Sequence, residues 1–175
     1  ANGKLIEESG FKNIWVQPAS GDSGSSIGCA LAFIYKDKKI TRKVDYNDSM
    51  SSAYLGPKFD NSLIKIFLDD LSIPYSRYEI EDLCKSTAQY LSKGMVVGCF
   101  QERMEFGPRA LGNRSILGDP RISDMQKKMN LKIKNRESFR PFAPAILEEF
   151  KKEYFNLNLE SPYMLLTRKL NDTFL

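Results

Sequence analysis

Two arginines five residues apart, Arg109 and Arg114, stand in the run Phe106-Gly107-Pro108-Arg109-Ala110-Leu111-Gly112-Asn113-Arg114-Ser115. Each guanidinium is a planar fork of N–H donors that can grip a phosphate or carboxylate through two bonds at once. Gly107, Pro108 and Gly112 fix a tight backbone path around them. Asn113 and Ser115 add neutral donors. A second run, from Lys132 to Pro144, sets Lys132, Lys134 and Arg136 at alternate positions. On an extended segment these would share one face. Ser138 follows, and Arg140 stands just before the rigid Pro141-Phe142-Ala143-Pro144. Such cations suit a polyphosphate, with lysine as a point charge and arginine as a fork. The signal in Gly21-Asp22-Ser23-Gly24 is weaker. Backbone amides around Gly21, Ser23 and Gly24 could approach phosphate oxygens, and the Asp22 carboxylate could bind a divalent metal. A plain Gly-Asp turn accounts for these four residues equally well.

The electrostatic balance points to the same stretch. The net charge is +4, too mild to mark a nucleic-acid binder by itself. Between Gln101 and Pro144, however, ten cations face five acids, so this segment exceeds the excess of the whole chain. There is no histidine. Ser-His-Asp and Cys-His machinery, and histidine-based metal sites, therefore cannot be built from this chain alone. Cys29, Cys84 and Cys99 are scattered, with no close pair to suggest zinc or redox chemistry, and are expected to be buried reduced thiols of a cytoplasmic protein. No apolar run approaches the roughly 18 residues of a membrane helix. The opening Ala1-Asn2-Gly3-Lys4 has no signal-peptide core and no initiator Met, so a piece of a longer protein is expected.

The elements that must position these residues can be read coarsely. The 175 residues suffice for one sizeable domain or two small ones. Asn13 to Pro18 is expected as a short strand, followed by a Gly/Ser turn and a buried helix over Ile27 to Tyr35. The stretches Lys36 to Lys39 and Asp45 to Ser49 read as loops, and Tyr54-Leu55-Gly56-Pro57 as a turn. Asp60 is placed to cap a helix whose Leu63, Ile64, Phe67, Leu68 and Leu71 form one apolar face. Glu79 to Lys93 reads as a helix stopped by Gly94, and Met95 to Phe100 as a buried strand. Ser123 is expected to cap a helix through Met125, Met129 and Ile133. Phe139 to Leu147 is expected as a strand interrupted by prolines.

Several stretches together resemble the C-terminal part of the NodU/CmcH family of O-carbamoyltransferases. They are Asn13 to Gly24, Tyr54 to Pro57, Arg103 to Leu117, Asp119-Pro120-Arg121 and Arg136 to Pro144. The Arg103 to Leu117 motif is the most specific. The resemblance implies an α/β (α+β) chain in three parts. Residues 1–37 would be the tail of an actin-like ATPase (Kae1-like) domain, and 38–74 a connector with one helix. Residues 75–175 would be an incomplete YrdC/Sua5-like domain, a twisted mixed sheet with flanking helices. It further implies that the YrdC-like domain makes carbamoyl-adenylate from ATP and carbamoyl phosphate. The Kae1-like domain then passes the carbamoyl group to a hydroxyl of a sugar or other small molecule in a biosynthetic reaction.

The same resemblance places Asp22 where that domain sets a carboxylate ligand for a metal, usually iron (Fe2+), with the other ligands upstream of this chain. Mg2+ is expected on the ATP phosphates. Adenylation moves charge onto a phosphorus centre and a pyrophosphate leaving group, which aimed cations stabilise. Arg109, Arg114, Lys134, Arg136 and Arg140 are the candidates for that work. Gly107, Asn113, Ser115 and Ser138 would position carbamoyl or phosphate oxygens. A homodimer is allowed.

Two rival functions remain at this stage. A basic YrdC-like surface could bind RNA, but Phe106, Phe139 and Phe142 sit beside prolines and glycines, where packing is favoured over base stacking. A threonylcarbamoyl-adenylate enzyme of tRNA modification is the other, and the Arg103 to Leu117 motif points away from it.

Overall fold

The computed structural model describes residues 1–45 and 47–174. Tyr46, within the loop expected at 45–49, and Leu175, the end of the expected C-terminal domain, lie outside the described residues. The described chain divides into two compact units, each discontinuous in sequence. The first comprises Ala1–Gly56, Glu105–Leu111 and Ala145–Leu175, and the second Pro57–Met104 and Gly112–Pro144.

In the second unit, α3 (Asn61–Asp70) begins where the sequence places its cap: the Asp60 carboxylate accepts the Leu63 N–H at 2.9 Å. That bond satisfies one of the donors a helix start leaves open. The next helix, α4 (Ile80–Ser92), ends at Gly94, whose left-handed φ of 74° lets Met95 N–H return to the Tyr90 carbonyl at 3.1 Å. Strand β1 (Val97–Phe100) follows and pairs antiparallel with β2 (Arg114–Leu117), Val97 opposite Leu117 and Phe100 opposite Arg114. Helix α5 (Met125–Lys128) runs on into a π-helical turn, Met129–Ile133. Its Met125 and Met129 are buried, 3% and 5% exposed. They lie over Gly118, where a Cβ would stand 2.7 Å from the Met129 sulfur, so the absence of a side chain there lets the methionines seat.

In the first unit lie α1 (Asn2–Glu8), α2 (Asp22–Ala32) and α6 (Lys151–Phe155). The N- and C-terminal stretches of the chain meet: Asn2 Nδ2 donates to the Leu165 carbonyl at 2.9 Å, and Arg168 pairs with Glu7. A 3-10 turn over Ser51–Ala53 has three consecutive left-handed residues, with φ of 48°, 55° and 67°. L-residues adopt that region at a cost of about 1–2 kcal/mol each. The Asp48 carboxylate offsets it by accepting the Met50 and Ser52 N–H groups and the Tyr163 hydroxyl. Burial alone would raise the Asp48 pKa, but these three donors outweigh it and hold the group below its ordinary value. Burial and the Asp48 partner push Tyr163 upward.

Both α and β structure are present, as expected, but several elements differ. Asn13 to Pro18 forms no strand, and Trp15 is 78% exposed. Among the described residues no strand lies alongside it, so there is no ladder to join. The helix expected over Ile27 to Tyr35 starts earlier, at Asp22, because Ser25 and Ser26 turn their hydroxyls back to the Gly21 and Ser23 carbonyls instead of breaking the turn. It passes into a π-helical turn, Phe33–Asp37, and is exposed rather than buried. Cys29 and Cys84 are likewise exposed, and Cys99 is half-buried. The cap of α5 is Asp124, not Ser123. No helix among the described residues is long and apolar enough to cross a membrane.

Candidate functional site

The Arg109 loop is tied at both ends within the first unit. Glu105, only 4% exposed, accepts the Leu111 N–H on Oε1 at 2.6 Å, and the Tyr54 hydroxyl donates to the Leu111 carbonyl at 2.9 Å. The Phe106 N–H donates to the Ala53 carbonyl at 2.6 Å. That carbonyl is placed by the left-handed turn described above. Between these anchors run Gly107 (φ 103°), Pro108 and an exposed Arg109. The Gly107 position faces Ala19, just before the Gly21–Gly24 stretch. Gly21 is the cap of α2 and Asp22 its exposed first residue, with Ser23 and Gly24 within the first turn. Among the described residues no group of three Cys, Asp or Glu side chains gathers that could hold a metal. Asp22 alone does not make a metal centre.

The remaining predicted cations belong to the second unit. Arg114 opens β2, opposite Phe100. The Asn113 side chain is buried and donates to the Arg103 carbonyl at 2.7 Å, while Ser115 Oγ accepts the Gly112 N–H at 3.1 Å. Both side chains thus hold the turn that delivers Arg114.

Lys132, Lys134 and Arg136 do not alternate on an extended face. Lys132 lies in the π-helical turn and Lys134 ends it, because the buried Met125–Met129–Asn130 side continues the helix. Asn135, left-handed at φ 46°, then reverses the chain, a conformation asparagine tolerates better than most residues. Nor is Phe139 to Leu147 a strand. Its two prolines remove ladder donors, and the Phe139 and Arg140 carbonyls are taken by side chains. Gln126 Nε2 donates to them at 3.4 and 3.1 Å.

The central holder is Asn130, which is fully buried. Its Oδ1 accepts Arg136 Nε at 2.6 Å, and its Nδ2 donates to the Ser138 and Arg140 carbonyls at 3.2 and 2.8 Å. The Arg136 guanidinium also lies 4.9 Å from the Phe142 ring centre, within cation–π range. Arg140 Nε is 2.8 Å from Glu137 Oε2. Glu137 is lowered below the ordinary carboxylate range, first by its own backbone N–H and then by the Arg140 charge. Arg121 is engaged elsewhere, in a forked pair with Asp119. The Arg121 side-chain bonds, then its backbone N–H, hold Asp119 down to about 2.

The structure therefore joins Arg136, Ser138 and Arg140 through one amide, and separately fixes the loop that carries Arg109. Lys134 is exposed beside the former. Asn130, Glu105 and Tyr54 are missing from the sequence-based candidates. An asparagine on the apolar side of Met125 and Met129, and an acid inside a basic motif, were the signals available.

Comparison with known proteins bears on the family of the chain. Residues 1–31 match the carbamoyltransferase N-terminus model and residues 88–174 the carbamoyltransferase C-terminus model. An uncharacterized Synechocystis protein is 51% identical over 98% of this chain, and nodulation protein NolO of Bradyrhizobium diazoefficiens is 40% identical over 89%. A 3'-hydroxymethylcephem-O-carbamoyltransferase of Streptomyces clavuligerus is 30% identical over 93%. The chain spans 28% of the length of each of these three relatives. With both models matched in chain order, this chain belongs to the carbamoyltransferase family.

Proposed function

We propose that this chain supplies the anion-binding part of an O-carbamoyltransferase that forms carbamoyl-adenylate from ATP and carbamoyl phosphate. The observation that carries the reading is the Arg136–Arg140 segment. Two arginines are set by one buried amide, inside the region matching the carbamoyltransferase C-terminus. The activity for which the Streptomyces relative is named supports a hydroxyl acceptor. In this reading residues 1–37 are the tail of a Kae1-like domain, 38–74 a connector and 75–175 part of a YrdC-like domain with a wider sheet. The protein acts in the cytoplasm.

Carbamoyl phosphate first loses its phosphate to water, leaving carbamate. A carbamate oxygen then attacks the α-phosphorus of ATP, the bond to the bridging oxygen breaks, and pyrophosphate leaves. Negative charge grows on the non-bridging and leaving oxygens. Arg109, Arg114, Lys134, Arg136 and Arg140 would meet it with charge-assisted hydrogen bonds, which a shielded site strengthens. The neutral Asn113, Ser115 and Ser138 would take carbamoyl or phosphate oxygens in the second unit, and the backbone at Gly107, Gly21, Ser23 and Gly24 would take phosphate oxygens in the first. In the second reaction the acceptor hydroxyl attacks the carbamoyl carbon, AMP departs, and the hydroxyl proton passes to solvent. Mg2+ would neutralise ATP phosphate charge. Asp22 would give one carboxylate to a divalent metal such as Fe2+, completed by residues outside this chain.

Calorimetric titration with ATP, Mg2+ and carbamoyl phosphate tests this reading. Saturable binding by the full-length protein that Arg114→Ala/Arg140→Ala abolishes is the expected result. Unchanged binding in that variant would remove the site from these residues.

A further inference from the structure

We infer that Asn130 is a positioning residue for the anion-binding arginines, setting the Arg136 guanidinium and the backbone of Arg140 in one act. The inference rests on the functional reading above and adds to it a residue that touches no substrate.

The orientation of the Asn130 amide follows from its partners. Arginine has donors only, so the atom facing Arg136 Nε must be oxygen. The Ser138 and Arg140 carbonyls have acceptors only, so the atom facing them must be the NH2 group. Both conditions hold together, with contacts of 2.6, 3.2 and 2.8 Å. Arg136 is held twice, because its backbone N–H also donates to the Asn130 backbone carbonyl at 3.1 Å. The residues gripped are 136, 138 and 140, the same residues that carry two of the cations and one of the neutral donors of the proposed site. Asn130 itself is fully buried and cannot reach a ligand. Its place as the second residue of the π-helical turn, beside buried Met125 and Met129, makes it a rigid base. Since Nε is taken by Asn130, the terminal amino groups of Arg136 are the part of the fork left to meet an anion. No hydrogen bond engages them among the described residues.

Steady-state adenylation by the full-length enzyme tests this, with carbamoyl phosphate and ATP varied in turn. The variants are Asn130→Ala, the isosteric Asn130→Asp, Arg136→Ala and Asn130→Ala/Arg136→Ala. Asn130→Asp separates the two kinds of contact. It keeps the shape and the acceptor for Arg136 but cannot donate to the two carbonyls. Each assay runs well below the melting temperature of its variant. We expect Asn130→Ala to raise KM for at least one substrate about tenfold, with a smaller change in kcat. Asn130→Asp should raise it at least about threefold, and Asn130→Ala should add clearly less than its full effect once Arg136 is already alanine, the remainder reporting its hold on the Arg140 backbone. A residue that only stabilises the fold would add its full effect in both backgrounds. Additive effects, or Asn130 variants whose KM stays within about twofold of wild type while Arg136→Ala is impaired, would overturn the positioning role alone. An Arg136→Ala enzyme with unchanged kinetics would overturn both the positioning role and the functional reading beneath it.

Discussion

The Arg109 loop and the Arg136–Arg140 segment are each held by one buried polar side chain, and the two holders differ in kind. Glu105 is a carboxylate and so, when ionised, only an acceptor. It can take the Leu111 N–H but not the Leu111 carbonyl, and a second residue, Tyr54, donates to that oxygen. Asn130 carries both an acceptor and two donors, so a single side chain takes an arginine N–H and feeds two carbonyls. What a buried residue can organise is set by its donor and acceptor inventory. The loop needs two side chains to meet one donor and one acceptor, whereas Asn130 meets both kinds alone and Gln126 only adds further bonds to the Phe139 and Arg140 carbonyls.

That contrast can be tested from the strongest effect downward. The largest expected loss is in the Arg109→Ala enzyme, where adenylation should fall tenfold or more. A charge-assisted contact to phosphate is worth about 1.5–3 kcal/mol. An unchanged rate of pyrophosphate release would take Arg109 out of the site and leave Glu105 and Tyr54 holding an idle loop.

Next come the holders. Glu105→Ala should destabilise the protein by about 1.5–3 kcal/mol, since it removes a charged acceptor from the part-buried Leu111 N–H. Glu105→Gln keeps an acceptor and should lose clearly less. Equal urea midpoints for the two variants would show that acceptance by Oε1 is not what matters at this position.

Tyr54→Phe removes one neutral bond and should cost about 0.5–1.5 kcal/mol. If it costs more than Glu105→Ala, the loop is held chiefly through its carbonyl and the contrast with Asn130 is drawn at the wrong residue.

The smallest effect concerns pH. Asp119 is depressed from 3.8 to about 2 in the folded state. The folded protein therefore favours the ionised form. The contribution is complete above about pH 4 and disappears as pH falls through about 2. Asp119→Asn should lower stability at neutral pH, where the ionised carboxylate contributes, and flatten the profile between about pH 4 and 2, so that the two proteins converge at the acid end. A loss at about pH 2 as large as the neutral-pH one would mean that shape, not charge, matters at the Asp119–Arg121 pair.

The elements legible in the sequence are those fixed by local chemistry. The Asp60 cap and the apolar spacing of α3, the Gly94 stop of α4, and the position of β1 each follow from signals a few residues apart, although β1 is half-exposed rather than buried as expected, with Phe100 48% exposed. Strand β2 escaped because its identity depends on pairing with β1, and its own residues, Arg114 to Leu117, read as part of a basic motif. The reverse error occurred at Asn13 to Pro18, where a strand-like composition has no partner. Phe139 to Leu147 was misread because Asn130 and Gln126 take the carbonyls of its first residues. The candidate site divides the same way. Its cations announce themselves by type. Their holders reach across sequence, 57 residues in the case of Tyr54 and Leu111, and a buried amide or acid looks like any other polar residue until the chain folds over it.

The central claim is that these arginines serve the joining of carbamate to the α-phosphate of ATP. Pyrophosphate release from ATP by the full-length protein, with and without carbamoyl phosphate, tests it most directly in wild type beside Arg136→Ala. The account predicts release that requires carbamoyl phosphate and falls at least about tenfold in the variant. Release that ignores carbamoyl phosphate, or that is equal in the two proteins, would contradict it.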